Sequence, residues 1–173
     1  MAQLVPDRTE AAEYYFTYID LVRLGPGQDV RDVLAAQRDE LLAAFAGISE
    51  ERSRHRYAPG KWSIREVLNH INDTERVFGF RAFWFGRGFD APMPGFDQDP
   101  AVQASGAADR SWASHVEEFR AVRESTIALF RNLPADAWSR RGVASGHPVT
   151  VRALAFMVAG HAAHHRRILD ERY

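Results

Sequence analysis

Hydrophobic positions recur along most of the chain at spacings of three and four, and Gly and Pro cut that rhythm into pieces. A short amphipathic stretch from about Thr9 to Val22 ends at "LGPGQ". Behind Asp29, read as an N-cap, the residues Val30, Val33, Leu34, Gln37, Leu41, Phe45 and Ile48 mark the inward face of a first long helix. After the loop "YAPGKW", Ser63 and Glu66 form a capping-box pattern, and Ile64, Val67, Ile71, Thr74 and Phe78 trace a second helix to about Phe85. Trp112, Val116, Phe119, Val122, Thr126, Leu129 and Leu133 predict a third helix that Pro134 ends. Thr150 opens a fourth, which runs nearly to Tyr173. No segment alternates with the period of a strand, and there is no internal repeat.

This pattern predicts a single all-α domain over residues 1–173, a four-helix bundle with a short extra N-terminal helix. The segment from Gly86 to Arg110, "GRGFDAPMPGFDQDPAVQASGAADR", is too rich in Gly and Pro for regular structure throughout and too long for a tight turn. It can climb the bundle and let the third helix run parallel to the second. The shorter connections suit antiparallel neighbours. The resulting order is up-down-down-up, with the start of the second helix and the end of the fourth at one end of the molecule.

The inward face of the fourth helix carries an anomaly. Val151, Leu154, Val158, His161, His165 and Ile168 share one stripe, so two imidazoles occupy core positions one turn apart. On the second helix His70 also leans inward, between Val67 and Thr74. His70 lies about 10 Å into its helix, and His161 and His165 lie about 15 and 9 Å from the end of theirs at 1.5 Å per residue, so the three meet at similar height. A lone inward His is ordinarily a hydrogen-bonded core residue. Three at one depth would leave several polar groups desolvated, which favours a bound cation. Neither Glu-x-x-His of a di-iron bundle nor His-Glu-x-x-His of a zincin occurs. Three neutral His with an open fourth position suit Zn²⁺ or Ni²⁺ first, with Mn²⁺ and Fe²⁺ compatible by ligand type.

Composition narrows the chemistry further. The chain has 22 basic and 23 acidic residues and no long like-charge run, which argues against nucleic-acid or membrane partners and for a small-molecule substrate or a protein partner. Cysteine is absent, so a metal must be held by His, Asp or Glu, and any thiol chemistry must bring its sulfur from outside. The opening "MAQLVPDRTE" has no signal-like pattern, and the expected location is cytoplasmic.

"YAPGKWSIREVLNHINDTERVF", "PMPGFDQD" and "VTVRALAFMVAGHAAHHRRIL" together resemble the DinB-like superfamily of bacterial four-helix-bundle proteins, which includes the YfiT-type metal-dependent hydrolases. The resemblance runs from about Val30 to Tyr173 and is most specific in its histidines. It implies a metal held by one His early in the second helix and a His-x-x-x-His pair late in the fourth, which fall on His70, His161 and His165. It further implies that the metal activates water or a low-molecular-weight thiol such as bacillithiol or mycothiol, for hydrolysis or S-transfer on a small substrate. A homodimer is also implied. A different class of role, a metal-binding or stress-response protein with a structural His site, fits the same residues.

Around the three ligands, Asp73 is the candidate proton acceptor, one turn beyond His70, and Glu75 is a weaker one. His164 can orient a ligand from behind. Asp97 and Asp99 lie in the long crossover, where they can face the mouth of the site or simply make turns. Trp62 reads as a packing anchor, and His55, His115 and His147 as ordinary surface or loop residues.

Overall fold

Capping residues set where the long helices begin. In the computed structural model, which describes residues 4–173, the helices are α1 (Phe16–Ile19), α2 (Val30–Ala46), α3 (Ile64–Gly86), α4 (Gln98–Ala104), α5 (Trp112–Arg131) and α6 (Val151–Arg172). One hairpin, β1 (Arg141–Ala144) and β2 (His147–Thr150), leads into α6. Asp29 and Ser63 form capping boxes with Asp32 and Glu66, and Ser111 and Thr150 accept hydrogen bonds from the amides of Ser114 and Ala153. These contacts satisfy amides that a first helical turn leaves unpaired.

The four long helices form the bundle in the expected up-down-down-up order. Asn69, Glu75 and Gly79 of α3 meet Arg110, Arg123 and Thr126 in the same sequence, so α3 and α5 run parallel. Phe45 packs on Trp112 while Gln37 reaches Arg123, so α2 is antiparallel to α5. Trp62 meets Tyr173 and Gly86 meets Val151, so α3 is antiparallel to α6. One expectation changes: α2 packs mainly on α5 and α6, and the consecutive pairs α2 with α3 and α5 with α6 are antiparallel but diagonal. Both connections are therefore crossings of the bundle end, which a hairpin-like turn would not require.

Three further departures from the hydrophobic pattern have physical causes. The N-terminal segment is helical only at a 3-10 turn, Glu13–Tyr15, and in α1. Its apolar positions, Phe16, Ile19 and Val22, are buried because the segment is strapped along α6. The Thr150 amide and hydroxyl donate to the Glu10 carbonyl and carboxylate at 2.9 and 2.8 Å, and Arg152 pairs with the same carboxylate. The hairpin escapes strand periodicity because each strand is four residues long. Its turn is set instead by Ser145 and Gly146, both at positive φ (54° and 79°), the two-residue geometry whose twist matches paired strands. The crossover holds α4 and a 3-10 turn at Ala107–Asp109, and Met93 pairs with the hairpin through bonds to Val143 and Ser145.

The third departure is in α5. Its buried face is Trp112, His115, Phe119, Arg123, Thr126, Ile127 and Phe130, while Val116, Val122 and Leu129 stay half-buried. Polar residues displace apolar ones because their partners lie inside. Arg123 is fully buried and makes a two-pronged ion pair with Glu75, with bonds of 2.8–3.0 Å. It also donates to Gln37 Oε1 at 2.8 Å, and Gln37 Nε2 donates to the Ala159 carbonyl at 2.9 Å. One chain of bonds thus joins α3, α5, α2 and α6. It separates an apolar cluster around Phe85, Phe130 and Phe156 from a second around Leu41, Phe45 and Phe119.

Removing one partner of such a pair strands the other charge. Glu75→Ala is expected to cost about 3–5 kcal/mol in urea unfolding, whereas the double change Glu75→Leu with Arg123→Met is expected to recover most of that loss.

Candidate metal centre

His70 sits seven positions into α3 and His161 and His165 eleven and fifteen into α6, and the antiparallel contact of these two helices brings the rings together edge to face. His161 Nε2 lies 3.0 Å from His70 Nε2 and 3.1 Å from His165 Nε2. All three ligating nitrogens fall within 4.8 Å of one another, and the three side chains could hold a metal ion. His70 and His161 are buried and His165 is half-buried.

The sequence around His161 permits this arrangement. Gly160 has no Cβ, and one placed there would stand 2.1 Å from the Tyr18 carbonyl oxygen, so the N-terminal strap can cross α6 directly beside the ligand. The Tyr18 ring then packs edge-on against His161 and His164, each 5.3 Å between centroids. Trp62 covers His70 from the other side at 5.0 Å. Thr74, one turn on from His70, places its hydroxyl 3.3 Å from Nδ1. With Nδ1 donating to that hydroxyl, His70 presents its Nε2 lone pair to its two partners.

Burial keeps all three rings neutral. It pushes His70 down to about 4, with the nearby charge of His164 adding to the effect. It pushes His165 down to about 3, helped by His70 and His164. His161 falls well below the usual imidazole range, through burial first and then its histidine neighbours. A neutral imidazole nitrogen carries either one proton or one in-plane lone pair. His161 Nε2 faces two partners at once, so protons alone cannot give both contacts full-strength hydrogen bonds. A cation shared by three lone pairs can. A tetrahedral ion with bonds of about 2.0–2.1 Å would set its nitrogens about 3.3–3.4 Å apart, a few tenths of an ångström from the two spacings at His161.

Solvent reaches the cluster from two sides. A cavity of about 120 Å³ is lined by Tyr18, His70, Thr74, Arg81, Gln98 and His161. A wider cleft of about 340 Å³ lies against Trp62, Asp99, His165 and Tyr173. The crossover thus borders both openings, through Gln98 on one and Asp99 on the other.

The other candidates fall in different places. Asp73 is outside the cluster; its carboxylate accepts from Asn69 at 2.8 Å and pairs with Arg76 at 3.4 Å, and burial raises its pKa. Glu75 belongs to the buried clamp with Arg123. Asp97 caps α4 by accepting from the Asp99 amide. His55 and His147 are exposed, as expected. His115 is not a surface residue: it is fully buried, with Nε2 3.0 Å from the Ala107 carbonyl and Nδ1 without a hydrogen-bond partner among the described residues. Sequence reasoning missed Tyr18 and Arg81. Tyr18 has no sequence signal, since the strap meets α6 only in three dimensions. Arg81 follows His70 by eleven residues, three turns along the same face, which could have marked it.

The chain matches the DinB superfamily model over residues 33–169. It is 33% identical over 60 residues to a protein of Geobacillus thermodenitrificans (strain NG80-2) that carries the name of a metal-dependent hydrolase; the matched stretch spans about a third of each chain. Its fold superposes on YfiT from Bacillus subtilis, described as a probable metal-dependent hydrolase with an unusual four-helix bundle topology, with a TM-score of 0.74 at 15% identity, covering 98% of this chain and 91% of that one. It also superposes on a mycothiol-dependent maleylpyruvate isomerase with a TM-score of 0.66 at 13% identity, covering 79% of this chain and 58% of the isomerase. With a family match across most of its length, an unusual helical order shared with YfiT and three histidines gathered where α3 meets α6, this chain belongs to the DinB superfamily.

Proposed function

We propose that the protein is a metal-dependent enzyme acting on a small molecule, with one divalent ion, zinc or nickel, on His70, His161 and His165. The observation that carries this reading is the meeting of three neutral imidazoles on one shared nitrogen, a contact that protons alone leave underbonded. An ion held there supplies Lewis acidity, which lowers the pKa of water or a thiol and polarises a carbonyl oxygen.

The chain's own residues do the rest. The Thr74 hydroxyl can accept the Nδ1 proton of His70 and so hold the ring with its Nε2 lone pair toward the ion. Trp62 and Tyr18 pack against the rings and border the two openings through which solvent reaches them. The two openings favour a working site over a purely structural one, since structural sites are closed by four protein ligands while catalytic ones keep a position free. Hydrolysis by water is supported by the names of the Geobacillus and Bacillus relatives. Use of a low-molecular-weight thiol is supported by the mycothiol-dependent relative, and the chain has no cysteine to serve instead. Asp73 has no part in the reading, because Asn69 and Arg76 already engage its carboxylate.

Protein purified without a histidine tag is expected to contain about one equivalent of divalent metal by elemental analysis, and His161→Ala less than a tenth of that. Turnover in a screen of esters, and of thiols paired with electrophiles, should vanish on chelation and return with added metal. Equal metal in both proteins would refute the assignment. Thr74→Val should keep the fold by circular dichroism while weakening metal affinity about 10–100-fold.

The metal-free protein should show a pH-dependent stability of defined sign. His70 and His165 titrate near 4 and 3 when folded and near 6.5 when unfolded, so between those limits the unfolded chain binds more protons. Stability is then fully present above about pH 6.5 and is lost on acidification, by about 1.4 kcal/mol per pH unit for each such imidazole. Urea midpoints measured from pH 7.5 to 4.5 should fall accordingly, and His165→Gln should give the shallower curve.

A further inference from the structure

Three arginines are buried in the bundle, Arg65, Arg81 and Arg123, with 1%, 3% and 0% of their surface exposed. Two have carboxylate partners: Arg65 pairs with Glu50 at 2.6 Å and Arg123 with Glu75 at 2.8 Å. The third does not. Arg81 donates through Nη2 to the Pro94 carbonyl at 2.7 Å and to Ser145 Oγ at 3.1 Å, and among the described residues it forms no ion pair. Its Nε and Nη1 make no hydrogen bond to the described protein. A buried guanidinium without a counter-charge is costly.

Arg81 is also one wall of the 120 Å³ cavity onto which His70 and His161 open. The other lining residues include Tyr15, Tyr18, Thr74, Gln98 and Ser145, all uncharged, and no carboxylate lines it. Arg81 stands three turns beyond His70 on the same face of α3, about 16 Å along the axis. A helical side chain leans toward its own N-terminus, so the guanidinium closes part of that distance.

We infer that Arg81 is the anchor for the carboxylate of a small organic acid, held in this cavity so that the rest of the acid extends toward the three histidines. Both hydrogens of Nη2 are engaged, so the free Nη1 and Nε hydrogens lie on different edges of the guanidinium; Nη1 can give a carboxylate a charge-assisted bond, and the surrounding hydroxyls can complete its hydrogen bonding. A single cationic wall suits a monoanion better than a phosphate, and the small volume suits a short acid. The inference deepens the proposed function by naming its substrate class; it depends on the metal centre for what the bound acid meets, not for the binding of its carboxylate.

The test is calorimetric titration of the full-length protein as purified, and again after chelation, with propionate, propionamide and inorganic phosphate. Saturable binding of propionate in both preparations, with propionamide and phosphate at least tenfold weaker, is expected. Arg81→Gln should weaken propionate at least tenfold and Arg81→Lys less, while the metal content of both stays that of the unaltered chain. Propionate binding no tighter than propionamide or phosphate would overturn the inference, as would binding unchanged in Arg81→Gln or abolished by chelation alone. Should Arg81→Gln fail to fold, the comparison of acid with amide on the unaltered chain decides by itself. Retained propionate binding in a protein without metal affinity would count against the metal centre and leave Arg81 standing; metal binding without propionate binding would do the reverse.

Discussion

Two imidazole nitrogens within hydrogen-bonding distance of the same third one form a demanding arrangement, because each neutral ring has one proton and one lone pair in its plane to share. The contact of His70, His161 and His165 is unfavourable unless something positive sits among the lone pairs, and most of the surrounding architecture serves to hold it in place. The antiparallel packing of α3 on α6 sets the height of the rings. That packing depends in turn on the crossover, since only a connection long enough to climb the bundle lets α5 run parallel to α3 and leaves α6 free to return beside it. Gly160 then admits the N-terminal strap to cover the cluster from outside.

A polar centre weakens a bundle of this size unless its neighbours compensate, and here they are polar as well. The clamp of Glu75, Arg123 and Gln37 joins the four long helices at the level of the histidines, ending on the Ala159 carbonyl two residues before His161. The positive charge of Arg123 contributes to keeping His161 unprotonated. Apolar clusters above and below seal this layer. Because these bonds are directional, they fix the rotation of α6 more tightly than apolar contact would, which suits a helix carrying two ligands one turn apart.

Legibility in the sequence followed the range of the interaction. The four long helices, three of their caps and the shared depth of His70, His161 and His165 all rest on spacing within a helix, and all could be read directly. The topology was legible from the length of one connection. Features that depend on partners distant in the chain were not. His115 and Arg123 look like surface residues until Ala107 and Glu75 are placed beside them, which is why the inward face of α5 was misjudged. Glu75 read as a weaker candidate proton acceptor for the same reason. The hairpin was hidden by its brevity: four-residue strands show no period, and Gly142 reveals its importance only through Phe85, whose ring would stand 2.0 Å from an added Cβ.

The irregular segments matter most where they meet Arg81. One guanidinium nitrogen ties α3 to Pro94 of the crossover and to Ser145 at the tip of the hairpin, two loops separated by the whole of α5. The crossover itself also pairs with the hairpin through Met93. The walls of the cavity are therefore not independent: a change in either loop alters how the guanidinium is held, and with it the charge presented beside the histidines. Helices whose positions are set by the bundle supply the ligands, while loops joined to one another by Arg81 shape what can approach them. On the proposed reading, variation in the crossover or the hairpin would redirect substrate choice without disturbing the geometry of the three histidines, provided the guanidinium keeps its two anchors.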